Sequence, residues 1–447
     1  MRISTSQIYG SGVRGMQRNQ EQLVRLQNQL SSNRRILTPA DDPIASARAL
    51  NVTQSKDVAA QYAANQGDAS DRLGLVDSQL TSLTDLLQSA RSRVVQAGNT
   101  ILGDSDRQAI ATELEQDLEA MLGIANSRDA EGSYLFSGYQ SETAPFARSA
   151  AVAPATSSSV TYFGDDGVLL LQVAASQQMA VNVTGSELFM DIRDGNGSFS
   201  TSAGRTGTGL ANLGSGAVDD ASVLDQTAWR NALNGFSWQG TANRGLQVQF
   251  SSVAGVSNYQ IFDTSTPAPP SVALPPTAVS GVMPFTPGQV IRFATTAPPA
   301  AAVTDFGAQV VINGSPADGD AFTIKPSTNK SVFQTMQEMI DLLRAPLASN
   351  TDRTAFSDQQ AGHLTNFDQV LAKVSAVHTS VGARMQELEV LSNNASAVDI
   401  QYQETLSNLQ DLDYAQALSD FTRHKVTLEA AQKSFVTISG LNLFNYL

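Results

Sequence analysis

Residues Leu73–Ile101, LGLVDSQLTSLTDLLQSARSRVVQAGNTI, decide how this chain is read. Leu73, Val76, Leu80, Leu83, Leu87, Ala90, Val94, Ala97 and Ile101 follow one another at alternating steps of three and four, without a break. A helix carrying so narrow an apolar seam needs a partner helix, because the seam cannot stay in water. At about 1.5 Å of rise per residue it is a rod, too long and thin to line a compact pocket. The rest of the chain is read for what packs on it.

Upstream, Leu37-Thr38-Pro39-Ala40-Asp41-Asp42-Pro43 reads as a rigid connector between two helices. Asp42 is placed to accept from orphan backbone N–H groups, and Pro43 suits the first helical position, where no donor is missed. The helix so opened passes Val52, Ala59, Tyr62 and Ala69, enters the seam and is predicted to end near Asn99. Before the connector, Val13, Met16, Leu23, Leu26, Leu30 and Leu37 keep a near-heptad spacing, but glutamine and asparagine interrupt the would-be core. Gly10, Gly12 and Gly15 weaken that first helix further, so it is predicted to be loose unless something packs on it. Downstream, Gly103-Asp104 breaks the rod, and Ser105 with Gln108 reads as a capping box for a helix through Ile110, Leu114, Leu118, Met121, Leu122 and Ala125.

The partner comes from the other end of the chain. Leu364, Phe367, Leu371, Val374, His378, Val381, Met385 and Leu388 repeat the three–four spacing, and Leu391, Ala395, Val398, Tyr402, Thr405, Leu409 and Leu412 resume it after a phase slip. Two long seams far apart in sequence imply one bundle, and the slip should change the local winding. A last apolar phase, Leu418, Phe421, Leu428, Phe435 and Ile438, leads into Leu441-Asn442-Leu443-Phe444-Asn445-Tyr446-Leu447. So many apolar groups are costly to leave exposed, which points to cover by another subunit.

Between the helical ends the period falls to two. Tyr134-Leu135-Phe136-Ser137-Gly138-Tyr139 reads as a strand entering a turn, followed by alternating runs at 160–163, 168–173, 179–183, 246–250 and 259–262. Trp229 and Trp238 stand where a small core could use them. Between Gly132 and Ile324 there are 13 acids and six arginines, so the predicted β domain has weakly charged faces. Nine of the 16 prolines fall from Pro267 to Pro299, which excludes a central strand there and predicts a surface loop or flap over 264–300. Residues 328–344 return to helical spacing until Pro346.

Composition narrows the function. The net charge is -14 and no basic patch appears, which argues against general nucleic-acid binding. The absence of cysteine excludes thiolate metal sites and thiol nucleophiles. The start, Met1-Arg2-Ile3-Ser4, lacks the basic and apolar regions of a secretory signal, and no apolar run is long enough to span a membrane. Cytosolic residence and export without a cleaved signal both stay open. No catalytic, cofactor-binding or metal-binding residues are assigned. His363, His378 and His424 lack the zinc-peptidase spacing, and His378 reads as a polar residue packed on a seam. The glycines from Gly204 to Gly216 lack the phosphate-loop lysine and suggest a flexible loop. Asp318 and Asp320 around Gly319 lack the other ligands of a calcium loop and read as a turn, while adjacent Asp41 and Asp42 read as cap residues in place of an acid–base pair.

Several stretches together resemble one family, the bacterial flagellar hook-filament junction proteins (third hook-associated protein), relatives of flagellin. They are Met1-Arg2-Ile3-Ser4, the run Arg35–Ser46 around Pro-Ala-Asp-Asp-Pro, and Tyr134–Tyr139 with Pro145-Phe146. Weaker echoes are Thr184–Phe189, Asn313–Ile324 and Ser331-Val332-Phe333. Filament flagellin is the near alternative, but Pro39 and Pro43 and the terminal Leu-Phe-Asn-Tyr-Leu favour the junction family. A surface binding module displayed on the flagellum is a further alternative, which the lack of any ligand constellation disfavours.

The predicted fold class is α+β: long N- and C-terminal helices form a coiled-coil-like bundle with an inserted mainly-β domain. The resemblance implies residues 1–40 plus 405–447 as an inner terminal-helix layer and 41–140 plus 326–404 as a helical bundle with a hairpin leading into the sheet. It implies 141–325 as an outer β domain containing the Pro-rich loop 264–300. It further implies a structural protein, not an enzyme and without cofactors, exported by the flagellar type III apparatus. Its implied partners are copies of itself in a ring, the first hook-associated protein, flagellin, and an export chaperone on its C-terminal region, with no nucleic acid and no membrane.

Overall fold

The structure, a computed structural model, describes residues 5–99, 102–149, 159–205, 211–235, 245–253, 255–264, 277–295 and 304–440. The helices are α1 (Thr5–Ser32), α2 (Pro43–Ala97), α3 (Asp104–Ala125), α4 (Gln226–Gly235), α5 (Val332–Arg344), α6 (Asn350–Gln410) and α7 (Tyr414–Gly440). Between α3 and α5 lie the strands β1 (Phe146–Ser149), β2 (Ser159–Tyr162), β3 (Leu170–Ala174), β4 (Gln177–Ala180), β5 (Ile192–Arg193), β6 (Phe199–Ala203) and β7 (Ala217–Val223). They continue as β8 (Leu246–Val253), β9 (Val256–Asp263), β10 (Thr277–Ala278), β11 (Met283–Pro284), β12 (Gln289–Thr295), β13 (Thr304–Asn313), β14 (Ala321–Pro326) and β15 (Asn329–Lys330). The expected α+β class, with long helices at both ends and small sheets inserted between them, is the fold found. Two compact units result: Met1–Asp68 with Gln172–Gln178 and Glu387–Leu447, and Ala69–Leu171 with Met179–Gln386.

In the second unit the seam of α2 is a closed core. All eight described positions from Leu73 to Ala97 are at most 2% exposed; Ile101 lies outside the described residues. α6 runs antiparallel to α2, joined by Asp77 with His378 (2.8 Å) and Arg91 with Asp368 (2.7 Å), while the Gln360 amide donates to the Val94 carbonyl. The deep positions of α6 are Phe367, Val370, Val374, Val377 and Val381. The expected seam shared three of these, whereas Leu371 and His378 flank it half-buried, because the helix is rotated to bring its valines inward. On the other side α3 meets α2 through Arg93 and Glu113 (2.8 Å) and meets α5 through Glu115 and Arg344 (2.6 Å). The start of α3 differs from expectation: Gly103 is the cap residue, and the Asp106 carboxylate accepts its N–H at 3.0 Å. Ser105 and Gln108 therefore sit inside the helix.

The stretch Tyr134–Tyr139 is a set of turns and not a strand; only Tyr134 makes a bridge, to Arg128. Its purpose is to deliver Phe136 to an aromatic cluster. Phe136 meets Phe189 (centroids 5.5 Å), Phe189 meets Phe146 (5.2 Å), and Phe333 meets both Phe146 (5.2 Å) and Phe189 (5.6 Å). Each ring comes from a different motif in the sequence, and all four are 0–2% exposed. Gly138 turns the chain at φ 71°, and a Cβ there would lie 2.1 Å from the Asp165 carboxylate, so only glycine fits.

Beyond this cluster an antiparallel sheet runs in the order β10-β9-β8-β14-β6, with β11 also on β9, and a second sheet runs β12-β13-β7. Trp229 on α4, Phe199, Phe250, Ile291, Phe293 and Phe322 fill the core between them; Trp238 lies outside the described residues. The expected loop over 264–300 is corrected by this sheet: residues 277–295 hold three strands, and Phe285, Ile291 and Phe293 are buried. The proline rule is still obeyed, because β12 contains no proline and occupies a sheet edge, and Pro284 sits in the two-residue strand β11.

Candidate assembly surface

The first unit contains α1, α7, the first part of α2 and the last part of α6, with far less cover. α1 and α7 are antiparallel: Tyr9 packs edge-on to Phe435 (5.6 Å), and His424 Nδ1 lies 3.1 Å from Asn19 Oδ1. A Cβ on Gly12 would lie 3.3 Å from the Phe435 ring, so this glycine permits the close approach of the two helices. Among the described residues of α1 and α7, only Gln29 and Ala417 are buried. Val24 (52% exposed), Leu418 (48%), Val426 (59%) and Val436 (67%) stand in solvent.

The connector after α1 ties both chain ends at one point. Asn33 reverses the chain at φ 55°, one of the few residue types that tolerates this. Leu412 N–H donates to Asn33 O (3.3 Å), Arg35 N–H to Gln410 O (2.7 Å) and the Arg35 guanidinium to Leu409 O (2.7 Å). Gln29, one of the glutamines that interrupt the apolar spacing of the first helix, is buried, and its amide donates to Arg35 O at 2.6 Å.

The adjacent aspartates divide the labour. Asp41 accepts from the Thr38 (2.8 Å) and Leu37 (3.0 Å) N–H groups and pairs with Arg25 (3.0 Å). The Thr38 N–H foremost, then Leu37 and Arg25, hold its carboxyl below the usual carboxylate range. Asp42 caps α2 by accepting from Ala45 N–H at 2.9 Å, with Pro43 at the first helical position as the sequence predicts.

Within this unit α2 buries only Ala45, Ala49 and Gln66, and α6 only Leu388. Every position of the second α6 seam, from Leu391 to Leu412, is half-buried at best. Lys56 and Asp399 join the two helices at 3.7 Å. The tip of the β3–β4 hairpin closes one end, with Asn65 donating to Gln172 O and Gln66 to Val173 O, both at 2.7 Å. What remains open is a groove of about 470 Å³ lined by Val58, Tyr62, Val173, Leu391, Val398 and Tyr402.

The residues weighed for chemistry do not converge. Asp320 is fully buried and its oxygens accept from the Leu213, Gly214 and Ala317 N–H groups, which makes it a turn anchor; Gly319 stands at φ 82°. Of the glycine-rich loop, 206–210 lie outside the described residues. His363 is largely buried, and desolvation lowers its pKa. Among the described residues no three His, Asp or Glu side chains gather as a metal site, and no helix is long and apolar enough to cross a membrane. The sequence reading missed Gln29 and Gln66, since an amide at a would-be core position carries no signal of the carbonyl it serves.

The bacterial flagellin N-terminal helical region matches residues 3–141, and the flagellin C-terminal helical region matches residues 364–447. Flagellar hook-associated protein 3 of Salmonella typhimurium is 33% identical over 192 residues, which are 43% of this chain and 58% of that protein. The crystal structure of hook-associated protein 3 from Legionella pneumophila is similar at 27% identity and a TM-score of 0.65, over 80% of this chain and 98% of that one. The chain is thus similar to hook-associated protein 3 and, at both helical ends, to flagellin. FlgL from Xanthomonas campestris, also 27% identical, covers 80% of this chain and 99% of its own with a TM-score of 0.63. The chain spans little more than half the length of the Salmonella relative in that match.

Proposed function

We propose that this protein is a structural adaptor of the bacterial flagellum, joining the hook to the flagellin filament as a ring of identical subunits and so serving swimming motility. The observation that carries the reading is the poverty of cover on α1 and α7, two helices of 28 and 27 residues with one buried residue each among those described. Helices so sparsely packed gain their stability from neighbours, which couples their ordering to assembly. The hook side meets the first hook-associated protein and the distal side meets flagellin. Residues 1–40 with 405–447 form the inner layer, 41–140 with 326–404 the bundle around it, and 141–325 project outward. Export runs through the flagellar type III apparatus, with a chaperone holding the C-terminal region.

Electron microscopy of a deletion strain tests the role: hooks without filaments and flagellin in the medium are expected, and normal filaments would refute it. Limited proteolysis of the secreted monomer tests the coupling. Cleavage within α1 and α7 before assembly and protection after it are expected; terminal helices already resistant in the monomer would sink the coupled-folding mechanism.

A further inference from the structure

Charge is divided along this chain. The protein as a whole carries a net charge of -14, yet its first 50 residues hold seven arginines against three acids. The run from Glu387 to Asp413 is the opposite extreme, with six acids and no basic residue. Both segments belong to the first unit. On α1, Arg14, Arg18 and Arg25 recur at steps of four and seven, which places them within about 40° of one another around the helix. Tyr9, Gly12 and Asn19 meet α7 on the opposite side. All three arginines are exposed. Arg25 is shared with Asp41, whereas Arg14 and Arg18 have no carboxylate partner among the described residues; Arg18 gives its Nε–H to the Arg14 carbonyl at 3.4 Å.

The end of α6 carries the complement. Leu391, Val398 and Tyr402 line the groove beside α2, and the helix period puts Ile400, Glu404 and Asp411 on the opposite side, again at steps of four and seven. Glu404 is exposed and has no partner among the described residues; Asp411 is exposed and its carboxylate accepts the Ser407 hydroxyl at 2.6 Å. Ile400 is 58% exposed. The seven-residue step from Arg18 to Arg25, about 10 Å along the helix, is also the step from Glu404 to Asp411, so the two rows come into register in either direction.

We infer that the arginine face of α1 in one copy lies along the face of Ile400, Glu404 and Asp411 on α6 of a second copy. The guanidinium groups pair with the carboxylates, and the arginine methylenes take Ile400 out of water. Arginine row against arginine row, or acid against acid, would repel, so each face selects the other. Every copy offers both faces, which lets the contact repeat from copy to copy. The inference rests on the self-assembling role proposed above and adds which faces meet.

Charge reversal in the full-length chain tests this. A deletion strain is complemented with the native protein, with Arg14→Glu plus Arg18→Glu, with Glu404→Arg plus Asp411→Arg, and with both reversals combined, and filaments per cell are counted by electron microscopy. Either reversal alone sets like charges face to face and should lower the count at least about tenfold, while the combined variant restores attraction and should return to within about threefold of native. Circular dichroism of the purified monomers should be unchanged throughout. Should a reversal disturb the fold, the neutral pairs Arg14→Gln plus Arg18→Gln and Glu404→Gln plus Asp411→Asn carry the test, each expected to lower the count about three- to tenfold. Native filament numbers with reversed or neutral pairs, or two losses that the combined variant does not repair, overturn the inference and leave the adaptor reading standing. A deletion strain that grows normal filaments overturns both.

Discussion

The two halves of α2 are one helix of 55 residues with two fates. From Leu73 to Ala97 every seam position is sealed at 0–2% exposure, whereas from Pro43 to Asp68 only two alanines and one glutamine are buried and Ile44 and Leu50 are 69% and 70% exposed. The same contrast runs along α6, where Phe367 to Val381 is core and Leu391 to Leu412 is half-covered. A seam with α3 and α5 at hand is finished within the chain. The seam without such neighbours keeps an apolar groove. Helix length is therefore no measure of how much a helix stabilises its own subunit; the number of elements that cover its seam is.

The most severe break of this contrast is Leu80→Asp with Leu87→Asp. Each leucine is fully buried, truncation alone costs about 2–5 kcal/mol per site, and an unpaired buried charge adds to that. Two such changes remove most of a typical stability of about 5–15 kcal/mol, and circular dichroism should find the second unit unfolded. If the monomer stays folded and only polymerisation fails, the inner and outer faces of α2 have been reversed. Phe333→Ala removes a fully buried ring of the aromatic cluster and should lower the urea stability by about 3–5 kcal/mol. Asp42→Ala removes the cap of α2 in the first unit and should cost about 1 kcal/mol, read as earlier thermal melting of that unit. Ile400→Asp, an exposed position in the first unit, should leave monomer stability within about 0.5 kcal/mol while impairing assembly.

The units also part on pH. Asp41 in the first unit has a depressed pKa, so its stabilisation is present above the ordinary carboxylate value near 3.9 and is lost as pH falls through the folded value. Proteolysis at the connector should accelerate at pH 3, and Asp41→Asn should show that susceptibility at pH 7 already. Asp358 in the second unit is pushed up by burial while accepting from Val218 N–H at 3.0 Å, so its neutral form suits the fold and stability falls as pH rises through its folded value. Asp358→Asn keeps an acceptor for that N–H and should raise the melting temperature slightly at pH 8.

How much of this was legible depended on how local the cause is. The α2 seam could be read position by position, because each residue is placed by the helix period alone. The rotation of α6 could not: Val370 and Val377 lie beside Leu371 and His378 in sequence, and the choice between them is made by helices hundreds of residues away. The turn at Tyr134–Tyr139 mimicked a strand in composition, while its shape is set by Gly138 against Asp165 and by rings from three other segments. Proline excluded a central strand but was silent on the proline-free run Gln289–Thr295 among its neighbours. Of the assembly surface, the cap at Asp42 and the sparse first helix were readable. Gln66 was not, because the Val173 carbonyl that its amide serves is beside it only once the fold is in place.

The tie between Arg35 and Leu409 sets a schedule for the chain. The two residues are 374 positions apart, and until that carbonyl exists the Arg35 guanidinium has Asp42 as its partner near in sequence, at 3.5 Å. At about 5–20 residues per second of synthesis, the N-terminal arm waits roughly 20–75 s before its partner exists. For that interval the sealed seam of α2 is an open stripe of leucine and valine, so the protein is most vulnerable to mispairing while it is being made, and least once its last helices arrive.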